Sequence, residues 1–367
     1  MDQPDTPEHC TGLGQLGQTP TESHSQQPAQ ASDADDTPCE PVEVLPRSPP
    51  PAPLPEDTRM TPFGAALAPV LLELCEGRLA DINWFRTDWQ RGGALTGYAT
   101  WQDGQAKHPV VVKFPIPPKE RRWLVQLSPD DVTPRIFAHG SELGGYDLAW
   151  VVMERLPYGP LGTAWGSHAY ELIADAAANF YARARLIPMG DPPTTRDWAG
   201  LVKRSKQSIS KDTIEHSQRW RKALKSASKK LPGWLEVWHT RDTGFWCHGD
   251  LHPGNAMSRT PAPAPGSEAT SPAVLFDLAC VHPGHWVEDA VYLEHLYWAA
   301  PKSLHGTKPV KLIAHHLRDY GLAPGNNWPD LANIYRALLA MTAPARRHAN
   351  LGGGHTGAAL RVLERLV

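Results

Sequence analysis

The chain of 367 residues carries a net charge of only −3, from 36 basic and 39 acidic side chains, so nothing global points to nucleic acid or an acidic membrane surface as a partner. Its length supplies two lobes or domains and a sizeable core, and no apolar stretch approaches the roughly 20 residues of a membrane span. Five cysteines without a CxxC spacing argue against a disulfide framework, and with no secretory-type leader pattern at the start the cytoplasm is the expected compartment.

Residues 1–57 contain no Phe, Tyr or Trp, are rich in Pro, Ser, Thr, Gln and acids, and close on Pro49-Pro50-Pro51-Ala52-Pro53-Leu54-Pro55. Such a segment cannot bury enough apolar area to offset its ordering entropy, so a disordered tail is expected. A polyproline ligand for a partner is the functional alternative. From residue 61 the pattern changes, and 63–74 reads as an apolar helix. Residues 89–101 read as strand, glycine turn, strand. The Gly92-Gly93 turn would let backbone N–H groups approach phosphates with no Cβ in the way, although glycines between strands also serve as plain turns. The hairpin continues through Asp103-Gly104 to Lys113, which ends a β-branched run where an unpaired ammonium is rarely tolerated. Glu120 opens a helix over 119–127, seven residues past the lysine. It is either the partner of Lys113 or an acid that favours the helix macrodipole. Residues 134–140 and 148–157 read as two further strands.

Beyond residue 157 the pattern turns helical. Tyr170, Ile173, Ala177 and Phe180 or Tyr181 recur at three- and four-residue spacing, the stripe of a buried amphipathic helix. Residues 198–230 follow as one or two helices, with ten Lys or Arg against two acids between Lys203 and Lys230. Next comes His248-Gly249-Asp250-Leu251-His252-Pro253-Gly254-Asn255, and 22 residues after the amide a strand-like Val274-Leu275-Phe276-Asp277 ends in a second carboxylate. Residues 259–272 read as an extended loop between them. A carboxylate and an amide five residues apart, followed by an acid at a strand end, are what metal-assisted phosphoryl transfer needs. One carboxylate orients an attacking hydroxyl, while the amide and the other carboxylate hold magnesium on the ATP phosphates. A second class stays open, because His248, His252, His282 and His285 with nearby acids suit a transition-metal hydrolase. No His-x-His or His-Glu-x-x-His pair supports it. Residues 295–367 read as three or four short helices.

The His-Gly-Asp-x-x-x-x-Asn loop and the Asp on the following strand resemble the aminoglycoside phosphotransferase and choline kinase-like family. The resemblance implies an α+β, protein-kinase-like two-lobed fold, with a small antiparallel β-sheet N-lobe at 58–155 and a mainly helical C-lobe at 156–367. It implies an ATP- and Mg2+-dependent phosphotransferase in which Asp250 is the catalytic base and Asn255 and Asp277 are the metal ligands. His248 becomes the structural histidine of the loop, and Asp289 a buried acid beneath it. By the same resemblance Gly92, Gly93 and Thr96, with Gly97, form the phosphate lid, and Lys113 contacts the phosphates and pairs with Glu120. Backbone groups of residues 154–156, Glu154 and Leu156 included, contact adenine. The acceptor is then a hydroxyl of a small molecule. Helices inserted near 198–230 wall the acceptor site in that family, and a basic wall suits a neutral or anionic acceptor better than a polycationic one. A pseudokinase of the same fold is the remaining alternative, against which the complete Asp250, Asn255 and Asp277 set argues.

Overall fold

A computed structural model describes residues 62–86, 94–161, 168–190, 192–193, 195–211, 214–261, 273–346 and 352–367. The expected disordered tail and the Gly92-Gly93 turn lie outside them. Helix α1 (Pro62–Leu74) precedes an antiparallel sheet of β1 (Leu79–Arg86), β2 (Leu95–Asp103), β3 (Ala106–Ile116), β4 (Ile136–Gly140) and β5 (Ala149–Glu154), in the order β1-β2-β3-β5-β4. Strand β1 was not expected from the sequence, which placed the first strand at residue 89. As a sheet edge with two bulges it buries only Leu79 fully, so its apolar alternation is faint.

Strand β3 buries Val110, Val112, Phe114 and Ile116 while Val111, Lys113 and Pro115 are half-buried. Successive strand side chains point to opposite faces, so Lys113 faces away from the layer that packs on Leu67 and Leu71 of α1. Burying each such Val, Leu or Phe contributes about 1.5–3 kcal/mol. That apolar face anchors the strand and leaves the lysine on the more open side.

Helix α2 (Pro118–Leu127) follows β3 directly, its first turn started by proline, and buries Trp123, Leu124 and Leu127 in a second core. Trp123 meets Trp246 edge-on at 4.7 Å. Helix α3 (His168–Ala184) buries the stripe read from the sequence: Tyr170, Ile173, Ala177, Phe180 and Tyr181. Around it lie α4 (Trp198–Lys211), α5 (Ser217–His239), α6 (Val287–Leu296), α7 (Pro309–Asp319), α8 (Trp328–Thr342) and α9 (Gly352–Leu366). Part of the basic run in α5 is used structurally, since Arg219 forms a bidentate pair with Glu364 of α9 and Lys230 donates to the Leu366 carbonyl. None of the described helices is long and apolar enough to cross a membrane. Cys280 is disulfide-bonded, while Cys75 and Cys247 are buried free thiols. The odd count precludes complete pairing but not a single bridge.

Four short strands position the motif region. β6 (Phe245–Cys247) pairs with β9 (His282–Gly284), and β7 (Ala256–Ser258) pairs with β8 (Ala273–Leu275), both antiparallel. The four make one interrupted hairpin. Its two interruptions, 248–255 and 276–281, lie opposite each other and carry the motif residues.

Candidate active site

The two interruptions are stitched together by main chain and one imidazole. Phe276 N–H donates to the Asn255 carbonyl at 3.1 Å, and His248 Nε2 lies 3.1 Å from the Phe276 carbonyl. A carbonyl only accepts, so Nε2 carries the proton and Nδ1 is left to accept from Asp250 N–H at 3.3 Å. Burial holds the His248 ring below its ordinary pKa, which keeps this neutral tautomer. Both ring nitrogens are engaged, so His248 is not disposed to ligate a metal.

Beneath the loop, Asp289 of α6 is fully buried and accepts three hydrogen bonds: from His248 N–H at 2.7 Å, Gly249 N–H at 2.8 Å and the Tyr181 hydroxyl at 2.9 Å. Burial outweighs these donors and raises its pKa. Gly249 has φ +83, and a Cβ there would overlap the carbonyl of Cys280. Only glycine fits that position without displacing the backbone opposite.

Asp250 is 7 % exposed. Its Oδ1 accepts from the Tyr292 hydroxyl at 2.6 Å, and its Oδ2 from Asn255 Nδ2 at 3.1 Å. The same Asn255 Nδ2 donates to the Asp250 carbonyl at 3.0 Å. These two bonds turn the amide nitrogen toward Asp250 and present Oδ1, a hard oxygen, on the other side. His252 Nε2 stands 3.6 Å from Asp250 Oδ2, beyond a hydrogen bond but close enough to favour the carboxylate. Burial alone would raise the Asp250 pKa. His252 and the Tyr292 hydroxyl outweigh it and hold the carboxyl below its usual range.

Across the cleft, Lys113 Nζ lies 2.8 Å from Glu120 Oε1 and 3.8 Å from Asp277 Oδ1. The short connection that made the Glu120 assignment open is bridged by starting α2 immediately after β3. Glu120 is 2 % exposed, and burial raises its pKa against the opposing pull of Lys113. Asp277 has a left-handed backbone, φ 62, and a side chain 46 % exposed. Thr96 faces Lys113 across the β2–β3 ladder, and its buried hydroxyl has no hydrogen-bond partner among the described residues. Lys113, Glu120 and Asp277 thus meet at one place, with Asn255 and Asp250 on the facing interruption.

Glu154 and Leu156 fall at the end of β5 and just past it. The Glu154 N–H is used by the Arg135 carbonyl at 2.7 Å and the Arg155 N–H by the Pro109 carbonyl at 3.1 Å. The Glu154 side chain is held by Arg259 through Nε at 3.0 Å and Nη2 at 2.8 Å. Arg259 also donates to the carbonyls of Asp131 and Thr133, tying the end of the short β7–β8 hairpin to the five-stranded sheet. Neither Arg259 nor Tyr292 was singled out from the sequence. Tyr292 lies three residues past Asp289 on α6, so both reach the 248–255 loop from one helix face.

The five-stranded antiparallel sheet and the helical body around this site define an α+β two-lobed fold. The model of the phosphotransferase enzyme family, APH, matches residues 91–333, and the chain belongs to that family. By that membership it is a phosphotransferase. Among solved structures, a candidate aminoglycoside phosphotransferase from Ralstonia eutropha is similar at TM-score 0.51 and 14 % identity, over 81 % of this chain and 97 % of that one. At that identity the likeness concerns the fold alone. A choline/ethanolamine kinase family protein from Mesorhizobium loti has TM-score 0.49 and 10 % identity, covering 83 % of this chain and 94 % of that one. For a choline kinase from Cryptosporidium parvum the values are 0.44 and 11 %, over 81 % and 94 %. No curated protein matches the chain.

Proposed function

We propose that this phosphotransferase moves the γ-phosphoryl group of ATP to a hydroxyl of a small metabolite or antibiotic, with Asp250 as the base. The observation that carries the reading is the position of Lys113 Nζ between Glu120 and Asp277. It joins the cation of the sheet to a carboxylate of the motif region at one site. Bound ATP and magnesium supply the electrophilic phosphorus and the charge neutralisation. The donor set fits them: Asn255 Oδ1 and the open Asp277 carboxylate are hard oxygens suited to magnesium, and the unpaired Thr96 hydroxyl and Lys113 suit phosphate oxygens.

Asp250, held ionised, orients the acceptor hydroxyl and takes its proton late, because a loose transition state asks more for positioning than for deprotonation. Asn255 and Asp277 hold the metal, and Lys113 is kept in place by Glu120. The Gly92-Gly93 turn completes the phosphate contacts, and main-chain groups of Glu154 and Leu156 contact adenine. In this reading the lobes divide at 58–155 and 156–367, the acceptor is neutral or anionic, and the compartment is the cytoplasm.

The test is thermal stability with ATP, with and without magnesium, followed by ADP release across a panel of hydroxyl metabolites. Ligand at about 100 times its dissociation constant adds about 2.7 kcal/mol. A magnesium-dependent rise is expected, and its absence sinks the reading.

A further inference from the structure

Below the 248–255 loop, at the β6–β9 end of the interrupted hairpin, three side chains bring ligand atoms close together. One ligand atom each from Cys247, His282 and Glu288 lie within 4.8 Å of one another, the one such group of three His, Cys, Asp or Glu residues among the described residues. Cys247 and His282 are direct partners across the β6–β9 ladder, and Glu288 stands in the first turn of α6. We propose that these three residues form a three-ligand site for a divalent transition metal of the zinc class. It is separate from the Asn255–Asp277 pair and independent of the phosphoryl-transfer reading.

The ligand chemistry selects the ion. Thiolate, imidazole and carboxylate together suit zinc, whereas magnesium takes oxygen ligands. A tetrahedral centre with bonds of about 2.0–2.3 Å separates its ligand atoms by about 3.3–3.8 Å. His282 Nε2 and Glu288 Oε2 are already 3.7 Å apart. The other separations, within 4.8 Å, need to close by at most about 1.0–1.5 Å against that spacing.

Outer contacts orient each ligand. His282 Nδ1 lies 3.0 Å from the Cys280 carbonyl, so Nδ1 carries a proton and Nε2 is the atom that can give a lone pair, the usual arrangement of a metal-bound histidine. Glu288 Oε1 accepts from Arg241 Nε at 3.1 Å, Arg241 Nη2 at 2.9 Å and His285 N–H at 2.9 Å, which leaves Oε2 toward His282. Gly284 passes so close that a Cβ would come within 2.8 Å of Glu288 Oε1 and 2.9 Å of Cys247 Sγ. Without a cation, Cys247 is a thiol that lies 3.3 Å from the His285 carbonyl as donor. Metal binding replaces the proton on Sγ, and any on His282 Nε2, and releases them to solvent. The centre would pin β6, β9 and the start of α6 together, directly under Gly249 and Asp289.

The test is titration of the full-length, chelator-treated protein with cobalt(II), which gives an intense charge-transfer absorption only when a thiolate is bound. We expect that band to saturate at one equivalent, to be displaced by zinc, to vanish in Cys247→Ser and to persist unchanged in Asp277→Ala. No band in the native protein, or a band that survives in Cys247→Ser, overturns the proposal. Should Cys247→Ser fail to fold, Glu288→Gln keeps the side-chain size and is expected to weaken cobalt binding at least tenfold. Unchanged affinity in that variant overturns the proposal equally.

Discussion

The two interruptions of the hairpin differ in how much of their geometry is set before anything binds. In 248–255, Asp250 is buried, each of its carboxylate oxygens has a donor, and the loop N–H groups of His248 and Gly249 end on Asp289. In 276–281, Asp277 projects from a left-handed residue with its side chain 46 % exposed, and among the described residues the cation paired with it is Lys113 at 3.8 Å. A carboxylate that must orient a hydroxyl gains from a fixed rotamer. A carboxylate that must hold a cation needs its oxygens open to that cation. The contrast is what a division of labour between positioning and metal binding requires.

The sharpest way to break this contrast is to remove each acid in turn. Asp250→Ala is expected to lower kcat by roughly a hundred- to ten-thousand-fold while leaving ATP affinity nearly intact, as read from single-turnover rates and calorimetric titration. Unchanged turnover would remove Asp250 from the chemistry. Asp277→Ala is expected to act on the other side, abolishing the magnesium-dependent part of ATP affinity. Titration of ATP with and without magnesium checks this, and persistence of the magnesium effect would place the metal elsewhere.

Stability separates the two interruptions as well. Asp289→Ala strands two buried N–H groups and the Tyr181 hydroxyl. At about 1–3 kcal/mol for each unsatisfied group, the expected loss is about 3–9 kcal/mol. Asp289→Asn, which keeps one acceptor oxygen, is expected to lose less. Denaturant unfolding measures both, and a change below about 1 kcal/mol in Asp289→Ala would mean that the loop is held by other contacts. The Asp277→Ala variant is expected to unfold like the native protein, because its side chain is half in solvent.

The better-organised interruption was also the more legible one. His248, Asp250 and Asn255 lie within eight contiguous residues, so their chemistry could be read as a pattern, and Asp289 followed from the family resemblance. Tyr292 could not be read this way, because a tyrosine 42 residues from its partner carries no local signal. The Glu154–Arg259 clamp spans 105 residues and was hidden for the same reason. At Glu154 the sequence suggested main-chain contact with adenine, and the side chain proves to have a structural partner. Strand β1 escaped because a bulged edge strand with one fully buried residue barely alternates. The Lys113–Glu120 pair was half legible: both residues could be named, but whether so short a proline-rich connection lets them meet depends on where α2 starts.

The finest probe of the contrast is Tyr292→Phe. The phenol donates to Asp250 Oδ1 at 2.6 Å and is one of the groups that hold the carboxyl below its usual range against burial. Removing the donor withdraws part of that stabilisation from the ionised form, so the Asp250 pKa rises. In the proposed role Asp250 acts as the carboxylate, so the acid limb of kcat/KM is expected to move to higher pH. On the plateau above that limb, kcat should fall by about ten- to a hundredfold, as one charged hydrogen bond is worth about 1.5–3 kcal/mol while His252 and Asn255 still hold the carboxylate. ATP affinity should stay unchanged, since no observed contact links Tyr292 to Lys113 or Asp277. An acid limb that stays where it was would show that Tyr292 packs beside the base without tuning it, and that the rigidity of the loop comes from Asp289 and Asn255 alone.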